Sequence, residues 1–239
     1  MIEIIEVTSR QQYRAFFQFP FNLYRNCPQW VPTITKEEMD IFDPQKNAVF
    51  EHAMARLFLA KKKGKIVGRI AVMINWVEVE KLQKTKVRFG WYDTIDDLEI
   101  SQKLIETVEA VAIAEGMTYI EGPMGFSNMD KAGLLVDGYE HMNTMITWYH
   151  YPYQKIHLER LGLKKQSEWI EFKIDIYDAK DSPEKVKKFA RVIKARYKLK
   201  TLAFKTTKDV EPHVDKMFEL LNQTYNKLQS FVPIQQHQI

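Results

Sequence analysis

Residues 57–74 read Leu-Phe-Leu-Ala-Lys-Lys-Lys-Gly-Lys-Ile-Val-Gly-Arg-Ile-Ala-Val-Met-Ile. Two β-rich runs, Leu57 to Lys61 and Ile66 to Ile74, flank Lys62-Lys63-Gly64-Lys65, and Gly64 supplies the positive φ that a hairpin turn needs. In the second run Ile66, Gly68, Ile70, Val72 and Ile74 share one face, while Val67, Arg69, Ala71 and Met73 share the other. A strand with apolar residues on both faces is covered on both. The hairpin therefore belongs at the centre of a sheet.

Outward toward the C-terminus, Lys86 to Tyr92 is a further strand, and Asp96 and Glu99 have capping-box spacing for a helix through Glu115. Ile100, Leu104, Val108, Val111 and Ala112 form its apolar stripe, and Gly116 terminates it. Met117 to Pro123 is the next strand, most simply parallel to the strand at Lys86 with the helix crossing one face. Residues Met124 to His150 show no sustained period, and Pro152 to Leu161 returns to helix. Ile170, Phe172, Ile174 and Ile176 alternate with polar residues, which predicts a strand with one buried face. Toward the N-terminus, Ile2 to Val7 is a short strand and Ser9 caps a helix through about Tyr24. Residues Asn26 to Val49, with Pro28, Pro32 and Pro44, read as a long surface excursion holding one helical turn.

The composition bounds the function. The 239 residues are 45% hydrophobic, enough for a packed core, and the formal charge of +4 is carried by intermixed residues of both signs, so neither a nucleic-acid nor a membrane partner is demanded. The single Cys27 forms no internal disulfide, Met1 to Val7 does not read as a signal peptide, and no apolar run reaches the roughly 18 residues of a membrane span. A cytoplasmic location is the expectation. Glycine-rich nucleotide loops, the Gly-x-Ser-x-Gly elbow and Cys/His sets with metal spacing are missing from the sequence, so neither a metal nor a nucleoside triphosphate is expected.

The end of the chain repeats its beginning. A shift of 201 positions lays Tyr24, Trp30, Val31 and Pro32 over Tyr225, Phe231, Val232 and Pro233 without a gap. Two readings stay open: a second copy that opens here, or chance agreement between two amphipathic helices. On the first, residues 1–178 form one domain, and residues 179–239 supply a linker helix and the start of an incomplete repeat. That helix, from Pro183 to Lys198, has a core face (Val186, Phe189, Ile193) and a basic face, which reads as solvated rather than as a nucleic-acid contact. Apolar faces left without a sheet would be buried on the first domain or in a homodimer.

Taken together with Arg88-Phe89-Gly90-Trp91-Tyr92-Asp93, Glu121-Gly122-Pro123-Met124-Gly125-Phe126, Tyr151-Pro152-Tyr153 and Leu158-Glu159-Arg160-Leu161-Gly162, this order of elements resembles the GCN5-related N-acetyltransferase (GNAT) superfamily, in a bacterial branch with tandem halves. The resemblance covers about Ile2 to Ile176. It implies an α/β (α+β) fold, with a mixed, mostly antiparallel central sheet flanked by helices, followed here by a C-terminal helix-strand-helix extension. It also implies acyl transfer from acetyl-CoA or another acyl-CoA to an amine, with a small-molecule acceptor as partner. In that fold two central strands splay, which places Phe89, Gly90 and Trp91 against a pantetheine arm; Trp91 as a core residue is the alternative. The family's phosphate loop is not matched, because residues 91–101 lack glycine and carry Asp93, Asp96, Asp97 and Glu99. Leu158 stands where the family places its acidic Tyr, so Tyr153 becomes the candidate acid, and Glu51 and His52 are candidate bases near the mouth. Ser127, Asn128 and Asp130 are candidate substrate contacts beyond a central strand, or turn formers. Loss of the phosphate loop keeps a second reading open, that of a non-catalytic ligand-binding or scaffold member.

Overall fold

In the computed structural model, which describes residues 1–175, 178 and 182–239, the five strands lie in the order β1-β2-β3-β4-β5. They are β1 (Ile2–Glu6), β2 (Ala53–Lys62), β3 (Lys65–Asn75), β4 (Lys86–Thr94) and β5 (Tyr119–Glu121). The first four pair antiparallel, and β4 and β5 pair parallel across α4 (Leu98–Ala114). The hairpin is where its sequence put it, with Gly64 at φ +76° and β3 in mid-sheet. This is the mixed, mostly antiparallel sheet flanked by helices that the GNAT resemblance implies.

The chain divides into two compact units. Unit 1 comprises Met1–Glu168 and Asn222–Ile239, and unit 2 comprises Trp169–Leu221. In unit 1 each face of the sheet has its own core. On one, Ile70, Val72, Phe89 and Tyr92 pack against Ile100, Leu104 and Val108 of α4. On the other, Ala71, Met73 and Trp91 pack with Phe16 and Phe17 of α1 (Arg10–Leu23) and with Phe42, which follows α2 (Thr35–Ile41). Ser9 caps α1 in a reciprocal box with Gln12, which satisfies two otherwise orphaned amides. Helix α4 is capped by Asp97, whose side chain accepts from the Glu99 amide. The expected Asp96–Glu99 capping box is not formed: the cap is Asp97, one residue later, and Asp96 faces His157.

The final segment of unit 1 is held from inside. Phe231 and Val232 are buried, and the Arg88 guanidinium donates to the Ser230 carbonyl (2.8 Å). Around it lies a buried ion cluster. Arg88 meets both oxygens of Glu78, which lies on α3 (Trp76–Glu80), and Lys86 joins Glu78 (3.0 Å) to Glu121. Two cations face two anions, so the cluster is formally neutral.

Unit 2 contains α6 (Glu184–Arg196), which follows α5 (Pro152–Arg160) of unit 1, then α7 (Thr207–Val210) and most of α8 (Val214–Tyr225). Two sequence expectations are corrected here. Residues 170–175 form no strand, and Ile170, Phe172 and Ile174 are exposed; Ile176 lies outside the described residues. The strand expected in the C-terminal extension is also not formed among the described residues. Alternation encodes which face a strand would bury, but a strand needs a neighbouring backbone to complete its ladder. Within unit 2 no described strand offers one.

Candidate functional site

All nine residues of β4 are buried, and the strand is interrupted once. Ala71 pairs with Gly90 and Arg69 with Asp93, so Trp91 and Tyr92 together oppose Ile70 alone. This is a β-bulge, with Trp91 at φ +46°. The extra residue sends Trp91 to the α1 face and Tyr92 to the α4 face. On the other edge, the pairing with β5 ends at Arg88 and Glu121, and the last backbone bond runs from the Met124 amide to the Phe89 carbonyl (2.8 Å). Beyond that point no backbone bond joins β4 to the segment after β5.

Two glycines permit the crossing. A Cβ at Gly90 would stand 2.3 Å from the Met124 carbonyl oxygen, and one at Gly122 would stand 2.3 Å from the Phe89 carbonyl oxygen.

Side chains of α5 meet the end of β4. The Tyr153 hydroxyl donates to the Thr94 carbonyl (2.6 Å), and the Gln154 amide donates to the Tyr92 carbonyl (3.2 Å). Burial, reinforced by the charge of Asp93, raises the Tyr153 phenol far above its ordinary range, so Tyr153 stays protonated. Behind it, Asp93 accepts from Arg69 (2.7 Å) and from the Tyr24 hydroxyl (2.7 Å). Asp93 is thus an internal counter-ion, not a charge aimed at a ligand. On the α1 face Glu38 of α2 accepts from the Trp91 indole and from Lys131 (2.8 Å). Near α4, Ser101 and His157 share a hydrogen bond of 2.8 Å, and His157 reaches Asp96 at 3.2 Å. Ser101 is fully buried, which removes it as a nucleophile.

The other sequence candidates fall into two places. Glu51 and His52 precede β2, where His52 Nδ1 lies 3.0 Å from His237 Nε2 and Glu51 lies 3.5 Å from His237 Nδ1. Ala60 and Thr94 both pair with Gly68. By that register His52 is eight residues along the sheet from the Tyr153 contact, roughly 25 Å. Tyr153 and the Glu51–His52 pair are therefore not one catalytic constellation. In the loop after β5, the Asp130 carboxylate accepts from the Ser127 amide (2.9 Å), and burial raises its pKa against the opposing effects of those bonds and of Arg88. Asp130 and Ser127 hold the loop in shape. Asn128 Oδ1 is buried and without a hydrogen-bond partner among the described residues.

His150, which the sequence reading did not single out, is buried beside this network, and its Nδ1 accepts from the Leu135 amide (3.2 Å). Burial lowers its pKa to about 4, with Asp93 opposing and Arg69 assisting. A depressed histidine contributes stability above the unfolded pKa of about 6.5, and that contribution is lost as pH falls from there toward the folded value. We expect urea-unfolding free energies to fall by about 3 kcal/mol between pH 6.5 and 4. In His150→Asn, which keeps an acceptor for Leu135, that slope should shrink; an unchanged slope would assign the titration elsewhere.

The first turn of α4 does not fit a diphosphate. Its Glu99 amide is taken by Asp97, and Asp96, Asp97 and Glu99 surround it. The cation Lys62 is already bound to Asp97 (2.6 Å) and lies 3.7 Å from Glu99. Anions at a helix N-terminus use up the favourable dipole that a phosphate would need.

No family model matches the chain. It is 26% identical over 230 residues to Protein YghO of Escherichia coli (strain K12), covering 96% of this chain and 58% of that protein. It is 27% identical over 184 residues to a bacterial ceramide synthase of Caulobacter vibrioides (strain NA1000 / CB15N), covering 77% of this chain and 47% of that protein. The chain thus spans about half the length of the curated relatives it matches. Solved structures it resembles include a predicted acetyltransferase with acetyl-CoA from Clostridium acetobutylicum (11% identity, TM-score 0.44, 72% of this chain and 96% of that one) and a tandem GNAT protein from the clavulanic acid biosynthesis pathway (9% identity, TM-score 0.46, 68% of this chain and 43% of that one).

Proposed function

We propose that unit 1 is an acyltransferase domain which forms an amide between an acyl thioester, such as an acyl-CoA, and the amine of a lipid acceptor. The observation that carries this reading is the bulge at Trp91, just past the last β4–β5 pairing and beside Gly90, at the carboxyl end of β4 and the edge strand β5. The lipid acceptor draws its support from the ceramide synthase relative. Two residues of the chain are suited to the chemistry. Tyr153, at the end of β4, is the candidate to pass its phenolic proton to a departing thiolate, which requires that its pKa, raised by burial and by Asp93, fall when the donor binds, and Asn128 is the candidate contact for the amine. For Tyr153 to act, its bond to the Thr94 carbonyl must be exchanged for one to the donor. Residues 179–239 are read as the opening of a second, similar half; this rests on the 201-residue shift.

The misfit at α4 and the two β4 carbonyls satisfied by α5 favour a second reading, a non-catalytic ligand-binding or scaffold domain. Thiol release from acetyl-CoA and a long-chain acyl-CoA, measured with a long-chain amine and with a soluble amine, separates the two. We expect release with the long-chain amine, and a loss of about 10²-fold in Tyr153→Phe while stability changes by only about 1 kcal/mol. No release with any pair, and no rise in melting temperature with either thioester, would leave the non-catalytic reading.

A further inference from the structure

We propose that the turn at Met142–Ile146 is a membrane-docking tip, which dips into the interfacial layer of a lipid bilayer and brings the end of β4 to its acceptor. It rests on the lipid-amine reading only for its purpose, not for its geometry. Met142, Met145 and Ile146 are 70%, 51% and 75% exposed, and Ile34, in the loop joined to this turn, is 49% exposed. Large apolar side chains crowded on one turn mark an interaction surface.

Asn143, Thr144 and Thr147 satisfy part of the turn's polar groups from within. Asn143 donates to the carbonyls of Thr144 (2.8 Å) and Thr147 (2.9 Å), while its own oxygen accepts from the Val31 amide (2.6 Å). The Asn143 amide donates to the Gln29 carbonyl (3.0 Å). The Thr144 and Thr147 hydroxyls pair at 3.0 Å, and the Thr147 amide donates back to Thr144 (3.2 Å). No residue from 142 to 147 is charged.

The area argues for a bilayer over a protein. Three side chains of this size expose on the order of 300–400 Å², short of the roughly 800 Å² per partner of a stable protein interface, but enough for shallow insertion of a few apolar groups. The tip is also joined to the site. Trp148, two residues after Ile146, packs on Trp91 of the bulge at 5.4 Å, and Tyr149 and His150 are buried behind it. The absence of a membrane-spanning helix among the described residues is compatible with a protein that lies on a bilayer.

The test is co-sedimentation of the 239-residue protein with phosphatidylcholine vesicles, with and without phosphatidylglycerol. We expect binding to both. It should fall about tenfold or more in the triple variant M142S/M145S/I146S and stay unchanged in Ile113→Ser, which removes an exposed apolar side chain of α4. Ile146→Trp should show a blue-shifted emission only when vesicles are present. Wild-type protein left in the supernatant overturns the proposal, as does a triple variant that binds like wild type, which would place any contact on another surface. A vesicle-free dimer that the triple variant dissolves would assign the patch to a second copy of the chain and equally overturn it. Binding is read without turnover. Vesicle binding without acylation therefore sinks only the acyl-transfer reading, and acylation of a soluble amine without vesicle binding sinks only the docking.

Discussion

Glu78→Ala is expected to destabilise the protein by about 3–5 kcal/mol, because it strands Arg88, fully buried, and deprives the buried Lys86 of one of its two carboxylates. Against a total stability of about 5–15 kcal/mol, that loss brings the chain near unfolding at ordinary temperature. The loss is local in origin. Arg88 also holds the Ser230 carbonyl, and Lys86 and Ser230 both bind Glu121. Limited proteolysis should therefore cut the segment from Asn222 to Ile239 sooner in Glu78→Ala than in wild type. Replacing the pair together, as in E78L/R88M, should cost less than Glu78→Ala, since no lone charge is buried and Lys86 keeps Glu121. Urea denaturation of the three proteins checks this. If the double variant is the least stable, the pair contributes more than the removal of its charges from water costs.

The second large effect is expected at Gly90. A Cβ there would lie 2.3 Å from the Met124 carbonyl and 3.2 Å from the Trp148 ring, and the first of these is backbone, which cannot rotate away. Gly90→Ala must push the chain after β5 off β4, and with it the Met124–Phe89 hydrogen bond that closes the sheet. We expect a loss of about 2–4 kcal/mol, at or above the usual range for overpacking. A disturbed near-ultraviolet signal from Trp91 and Trp148 should accompany it. Gly64→Ala is the contrast. Nothing lies near its Cβ, only its positive φ is at issue, and about 1 kcal/mol is expected. Equal losses at the two glycines would mean that the strands do not cross as closely as described.

The two positions show why parts of the site were legible in the sequence and others were not. Gly64 announces a turn because a local conformation demands it. Gly90 sits in an apolar strand with no local reason to be glycine, and its reason is a carbonyl 34 residues away. The same division runs through the charges. The acidic run of Asp93, Asp96, Asp97 and Glu99 is visible in the sequence because helix-end electrostatics depends on local residues. That Asp93 instead answers Arg69 and Tyr24 depends on how β4 is bulged. Helical spacing alone points to Tyr153, but only the fold puts its hydroxyl on the Thr94 carbonyl at the end of β4. Glu51 and His52 were grouped with it by position relative to the hairpin, and only the register separates them along β2.

By itself the sequence determined the periodic elements: the hairpin of β2 and β3, the two-faced burial of β3, the stripe of α4 and the parallel crossover to β5. Those follow from side-chain alternation and helical spacing, which act over a few residues. Only the tertiary structure decided the bulge at Trp91, the neutral ion cluster at Glu78 and Arg88, the distance between the candidate acid and base, and the failure of residues 170–175 to pair. Each of these depends on which backbone or charge arrives from a distant part of the chain, and local periodicity carries no record of that.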